Sequence, residues 1–184
     1  MRIMLRDVRL AFPSIFQAST PKGGGEPAFG ASFLMPKNHP QIAELNKVID
    51  AVAKEKWGAK ADAVLKAMRA ADKTCLHNGD NKAEYDGFEG NLFISSRSKI
   101  RPTAYDQQRN DVSEADGVIY SGCYVDASLE LWAQDNQFGK RINAQLRGVQ
   151  KRRDGDAFAS GARPAAADEF DEIAAPAEDA DLTA

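Results

Sequence analysis

Residues 118–151 read VIYSGCYVDASLELWAQDNQFGKRINAQLRGVQK, and apolar and polar residues alternate along much of this stretch. The odd positions of 123–131 are Cys, Val, Ala, Leu and Leu, whereas the even positions carry aromatic and polar side chains. Positions 142, 144 and 146 are likewise apolar between polar neighbours. Alternation with a period of two is typical of strands that bury one face. With the turn residues Asp135, Asn136 and Gly139 between them, the two runs predict a β-hairpin.

A third strand is predicted at 92–101, LFISSRSKIR. The even positions, which we assign to the core, are Leu92, Ile94, Ser96, Ser98 and Ile100. The odd positions, which we assign to the outer face, are Phe93, Ser95, Arg97, Lys99 and Arg101. An aromatic followed by cations at strand spacing offers a base-stacking surface beside charges that can follow phosphates. The alternative is a solvated face whose charges serve solubility.

Earlier in the chain, strands are predicted at 2–16 and 29–35, separated by a Pro- and Gly-rich loop. Apolar residues then recur at helical spacing from Ile42 to Val52, with Asn38 as the expected N-cap and Gly58 as the end of the helix. A second short helix follows. These helices indicate a helical insertion, at about residues 38–72, within a β-rich α+β protein.

The charge is distributed unevenly along the chain. Residues 1–153 carry 23 basic and 18 acidic side chains, a net charge of +5, whereas residues 154–184 carry one basic and nine acidic side chains, a net charge of −8. We therefore expect a basic folded domain at 1–153 that binds a polyanion, and a disordered acidic tail at 154–184 that can imitate it.

Further aromatic and basic side chains on the predicted strands and their connections extend the candidate surface, because an exposed aromatic ring stacks on any base. The alternative is that some of these rings pack under an insertion or against another subunit. The residues expected to contact nucleic acid are Phe93, Arg97, Lys99, Arg101, Tyr105, Tyr120, Tyr124, Trp132, Arg141, Arg147 and Lys151.

The sequence gives little support to catalysis. Cys75 and Cys123 are far apart and are interpreted as reduced and buried, and the two histidines lie in a helix start and a turn. We expect no cofactor, no metal and no membrane segment. A metal-dependent nuclease using the acidic stretch 79–90 is the enzyme alternative; its carboxylates are Asp80, Glu84, Asp86 and Glu89.

Six short stretches occur together in one order: 30–37 (GASFLMPK), 55–58 (EKWG), 78–80 (NGD), 98–102 (SKIRP), 120–125 (YSGCYV) and 148–151 (GVQK). In this order they resemble the DUF2815 family of phage single-stranded DNA-binding proteins. The resemblance runs over nearly all of residues 1–153. It implies a single OB-like β-barrel that binds single-stranded DNA with little sequence preference and acts in phage replication, recombination or repair. Since the chain shows neither a signal-peptide pattern nor a long apolar run, we expect it in the host cytoplasm.

The resemblance also gives the tail a role, because phage proteins with a T7-type acidic tail use it to contact replication proteins and to compete for the DNA groove. The corresponding residues here are Asp168, Glu169, Phe170, Asp171 and Glu172. The expected partners are single-stranded DNA and phage or host replication proteins. Duplex DNA binding and homodimer formation stay open, as does the alternative of a phage assembly protein.

Overall fold

The computed structural model describes residues 1–159 and 170–171. Nine elements of regular structure organise them. They are β1 (Arg2–Ser19), β2 (Ala28–Pro36), α1 (Ile42–Trp57), α2 (Ala61–Ala70), β3 (Leu76–Asn78), β4 (Asn91–Ser98), β5 (Thr103–Tyr105), β6 (Tyr124–Asn136) and β7 (Gly139–Arg153). Short 3₁₀ turns connect several of them.

Five of the strands close into a barrel. β1 pairs antiparallel with β2 and β6, β2 pairs with β4, and β6 pairs with β7. Strands β4 and β7 meet in parallel at Arg97 and Gln145, which closes the ring. The short strands β3 and β5 extend it beside β4 and β7. The predicted single β-barrel is therefore present.

β1 is long and bent, and it pairs with two neighbouring strands. It pairs with β6 through its first half and with β2 through its second half. The pairing register shifts near Asp7 and Phe12, which have left-handed φ values of 53° and 49°. Such β-bulges increase the local twist of a strand, and this twist is what a small closed barrel needs.

The predicted hairpin of β6 and β7 is confirmed, with Asn136 paired to Gly139 around the turn. All five apolar odd positions of 123–131 are fully buried. The inward positions of β7 are buried as well: Ile142, Ala144 and Leu146. In β4 the even positions Ile94, Ser96 and Ser98 are buried as predicted. Ile100 is instead 72% exposed, because β4 ends at Ser98 and the alternation ends with it.

The helical insertion is also confirmed. Leu45, Ile49 and Val52 bury one face of α1 against the barrel, and Gly58 ends the helix at a φ of 52°. The predicted N-cap at Asn38 is wrong, because α1 starts only after Gln41. The Gln41 side chain accepts a hydrogen bond from the Arg6 backbone N–H and so fastens the helix start to β1.

Both cysteines are buried, and burial raises the pKa of the Cys75 thiol to about 12. Each therefore stays protonated and behaves as a small apolar side chain. Within residues 1–159 and 170–171, no helix is both long enough and apolar enough to cross a membrane.

The packed domain extends beyond residue 153. Residues 154–159, which we call the strap, turn back over the end of the barrel instead of beginning a disordered tail. The Phe158 side chain is only 6% exposed, and its backbone N–H donates to the Ser121 carbonyl over 3.0 Å. The Ala159 N–H donates to the Asp86 carboxylate over 2.9 Å. The charge count assigned these residues to the acidic tail, and it did not reveal that the Phe158 ring is buried.

Candidate nucleic-acid interface

Arg97 lies where three surface cavities of the barrel meet. The cavities measure about 610, 630 and 390 Å³, and the Arg97 side chain lines all of them. The β4–β7 contact pairs Arg97 with Gln145, so Arg97 lies on the strand where the barrel closes. We call the three connected cavities the groove.

Trp132 supplies an aromatic surface in the groove. It lies on the outer face of β6 opposite Asn143 of β7 and is 45% exposed. It lines both larger cavities together with Arg97. A half-exposed indole beside a guanidinium is the combination that sequence-tolerant binding of single strands requires, since bases stack and phosphates pair with charge.

Other cations surround these two residues. Lys99 lines the first cavity, whereas Lys73 and Arg141 line the second. Lys99 pairs with Glu26 over 2.7 Å, and the Lys99 side chain, first by its hydrogen bond and then by its charge, lowers the pKa of Glu26. Both side chains are about four-fifths exposed, so this pair is weak and a phosphate can replace Glu26.

Phe138 is a groove residue that the sequence reasoning missed. It lies at the tip of the β6–β7 hairpin, is 77% exposed, and lines the same cavity as Trp132 and Arg141. A phenylalanine between Gln137 and Gly139 in a predicted turn was the available signal, because an apolar ring in a hairpin turn has little to pack against. Lys73 and Lys22 were also missed, since both lie in irregular connections.

Phe93 does not present its ring to solvent, so the expectation of an exposed Phe93 is wrong. It does lie on the outer face of β4, as its odd position predicts, but it is only 3% exposed. Phe88 from the 79–90 loop packs on it with ring centroids 5.0 Å apart, and Phe158 from the strap joins the same cluster. Two distant segments therefore cover the ring.

Tyr120, Tyr124 and Lys151 lie at the strap, away from the groove. The buried Lys151 ammonium donates to the Val118 carbonyl over 2.6 Å and pairs with Asp154. Tyr120 is also buried and bonds the strap through its hydroxyl. The Arg153 guanidinium lies over the Tyr124 ring at 3.5 Å. The expectation that Tyr120 and Lys151 face DNA is therefore wrong in this conformation, because both hold the strap.

The remaining candidates lie outside the three cavities. Arg147 pairs with Glu130 over 2.9 Å, and Arg101 is exposed just after β4. Tyr105 is half-buried in β5, where it pairs with Gln150 of β7. DNA contact by these three residues stays a prediction.

Two carboxylates of the acidic stretch 79–90 bond to other parts of the protein. Asp80 pairs with Lys37 over 2.8 Å and accepts the Gly90 N–H, and these two hydrogen bonds lower the pKa of Asp80. Asp86 holds the strap. Among residues 1–159 and 170–171, His, Cys, Asp and Glu side chains do not form any group of three or more that could hold a metal ion.

Of the predicted tail contacts, Phe170 and Asp171 are described and both are exposed. Asp168, Glu169 and Glu172 lie outside the described residues. The role of this segment stays a prediction.

Solved structures define the class of protein. The single-stranded DNA-binding protein of bacteriophage Enc34, in a complex with single-stranded DNA, matches with a TM-score of 0.72 and 30% identity, over 85% of this chain and 88% of that one. The gp2.5 single-stranded DNA-binding protein of bacteriophage T7 matches with a TM-score of 0.57 over 94% of this chain and 98% of that one; at 14% identity this shows the fold alone. The fold is the predicted OB type.

The sequence comparisons give the family. The family model of the Enterobacter phage Enc34 single-stranded DNA-binding protein matches residues 1–182. Protein p50 of Acyrthosiphon pisum secondary endosymbiont phage 1 is 42% identical over 176 residues, which is 94% of each chain. The chain therefore belongs to the family of the Enc34 phage single-stranded DNA-binding protein.

Proposed function

We propose that this chain is a non-catalytic protein that binds single-stranded DNA in the groove around Arg97 and Trp132. The observation that carries the proposal is that Arg97 and the half-exposed Trp132 line the same two cavities. Membership in a family named for single-stranded DNA binding supports it.

The chemistry of the groove favours single strands with little sequence preference. Arg97, Lys99 and Arg141 attract phosphates irrespective of sequence. Trp132 and Phe138 offer flat apolar surfaces, and every base has a face that can stack on them. A duplex keeps its bases stacked on one another, so it would engage the cations and leave the rings unused.

The acidic segment after the strap is proposed to compete with DNA and to meet replication proteins. Residues 160–184 carry seven acidic side chains and one basic one. This segment follows Ala159, whose backbone N–H is bonded to Asp86 of the 79–90 loop. A chain fixed there has a high effective concentration near the basic groove. We further propose a role in phage DNA replication, recombination or repair in the host cytoplasm.

Fluorescence anisotropy of a labelled oligo-dT tests the function. Binding that is tight at low salt, weakens steeply as salt rises, and is stronger for the single strand than for a duplex of equal length supports the proposal. Absence of binding would contradict it and favour an assembly protein. Incubation of the same oligonucleotide with magnesium tests catalysis, and its degradation would favour the nuclease alternative.

A further inference from the structure

The third cavity of the groove leads from Arg97 towards an aromatic cluster on β1 and the 79–90 loop. It measures about 390 Å³, and Phe12, Lys22 and Arg97 are among its lining residues. Small residues from the strands, which we call the floor, are part of its lining: Gly30, Ser32 and Ser95. At Gly30 a Cβ atom would come within 2.5 Å of the Ser96 carbonyl oxygen, so this part of the floor admits no side chain.

Phe12 is held in an unusual conformation at the edge of this cavity. Its φ of 49° lies in the left-handed region, which bulky side chains rarely adopt. The bulge turns the ring outward, and 38% of the residue stays exposed. A strained backbone that presents an apolar ring to solvent is a feature that clusters at functional sites.

Tyr85 continues the aromatic surface. Its ring packs edge-to-face on Phe12, with centroids 5.1 Å apart and planes at 85°, and it is itself half-buried. Lys22 lies 6.0 Å from the Tyr85 centroid and lines the cavity. Lys82, from the same loop as Tyr85, lies 5.2 Å from the Phe93 centroid. Phe12 and Lys22 therefore bring an aromatic ring and a cation to the lining of this cavity, the same chemistry that Trp132 and Arg97 bring to the larger cavities, and the Tyr85 ring packs on Phe12.

We propose that Phe12 and Tyr85 form a second base-stacking step for single-stranded DNA, reached from Arg97 along this cavity, with Lys22 holding the adjacent phosphate. This inference rests on the proposed function and extends the binding site past Arg97. A strand that enters beside Trp132 and passes Arg97 reaches Phe12 over the floor of small residues. The step is therefore filled only by oligonucleotides long enough to span both ends.

Phe12→Gly is the sharpest variant, because glycine removes the ring and adopts the left-handed backbone without strain. Thermal unfolding is measured on the same variant, and a loss of affinity confined to long oligomers cannot be attributed to misfolding. Phe12→Trp is the matched control that keeps a stacking surface. Phe138→Ala is a second control. It removes a ring at the opposite end of the groove, which short oligonucleotides can also reach.

The measurement is the affinity for dT oligomers from about 4 to about 16 nucleotides, the range of site sizes known for OB folds. We expect Phe12→Gly to bind the shortest oligomers like the wild type and the longest about tenfold more weakly, and Phe12→Trp to restore the long-oligomer affinity. Phe12→Gly affinities equal to the wild type at every length, in a protein that does bind DNA, would overturn this inference alone. No binding by the wild type would overturn the proposed function instead.

Discussion

Arg97 has the central position among the residues of the groove, since three cavities meet at its side chain. Arg97→Ala should weaken binding to all sequences alike and reduce the slope of log affinity against log salt by about one, as expected for a single lost phosphate contact. Arg69→Ala is the matched control, because Arg69 pairs with Asp50 on the helical insertion. A salt slope unchanged by Arg97→Ala would contradict the role given to Arg97.

Trp132 is proposed to contribute by stacking and not by charge. Trp132→Ala should cost about 1–3 kcal/mol of binding free energy and leave the salt slope unchanged, because a ring without charge releases no counterions. Trp132→Phe should retain most of the affinity. Titrations of labelled oligo-dT at several salt concentrations measure both quantities. Full affinity in Trp132→Ala would show that the bases stack elsewhere.

Asp126 links the stability of the barrel to pH. It is 7% exposed; burial by itself raises its pKa, but the Asp7 N–H and the Arg6 and Arg152 guanidinium groups together lower it below its ordinary value. A carboxyl whose pKa is lower in the folded state stabilises the fold above its unfolded pKa of about 3.9, and this contribution disappears as the pH falls through the folded value.

The expected outcome is a loss of stability in acid that Asp126→Asn reduces. Thermal unfolding followed between about pH 7 and pH 2 measures it. The Asn variant should be less stable near pH 7 and should lose less stability towards pH 2 than the wild type. The control is Glu89→Gln, which neutralises an exposed carboxylate. Parallel pH curves for Asp126→Asn and the wild type would exclude this role.

Among the elements, the strands could be predicted from the sequence where one face of the strand packs on the core along its whole length. The odd positions of 123–131 are buried without exception because a closed barrel has one interior. The outer face follows no such rule. On β4 the alternation placed Phe93 and Arg97 together, yet the 79–90 loop and the strap cover Phe93 and leave Arg97 exposed. Contacts between segments so distant in sequence leave no periodic signal.

The strap is the element that the charge count concealed, and Phe158 is its anchor. The ring lies among Ala11, Leu34 and Phe88, with the Arg9 guanidinium 4.3 Å from its centroid. Phe158→Ala should destabilise the domain by about 3 kcal/mol, because it leaves a cavity in a packed cluster. Denaturant unfolding checks this value, with Phe170→Ala as the control, since Phe170 is 68% exposed. Equal stability of the two variants would contradict the anchor.

The whole molecule combines a basic barrel with an acidic segment. Because the strap lies between them, truncation on either side of it distinguishes an effect on DNA affinity from an effect on stability. Ending the chain after Ala159 removes seven of the nine acidic residues of 154–184 and keeps Phe158. We expect this form to bind oligo-dT more tightly than the full chain at low salt, with the difference shrinking as salt rises. Ending it after Arg153 should also reduce stability. Equal affinities of the full chain and the 1–159 form across a salt series would exclude competition by the acidic segment.

Tryptophan fluorescence reports directly on the proposed contact between single-stranded DNA and Trp132. The chain has two tryptophans, and Trp57 bonds Asp135 at the end of α1, so Trp57→Phe leaves Trp132 as the single reporter. We predict that oligo-dT quenches the fluorescence of this variant saturably and that salt reverses the quenching, because stacked bases quench indole and phosphate contacts weaken with salt. Binding of the same oligonucleotide with unchanged Trp132 fluorescence would contradict the account and place the DNA on another face of the barrel.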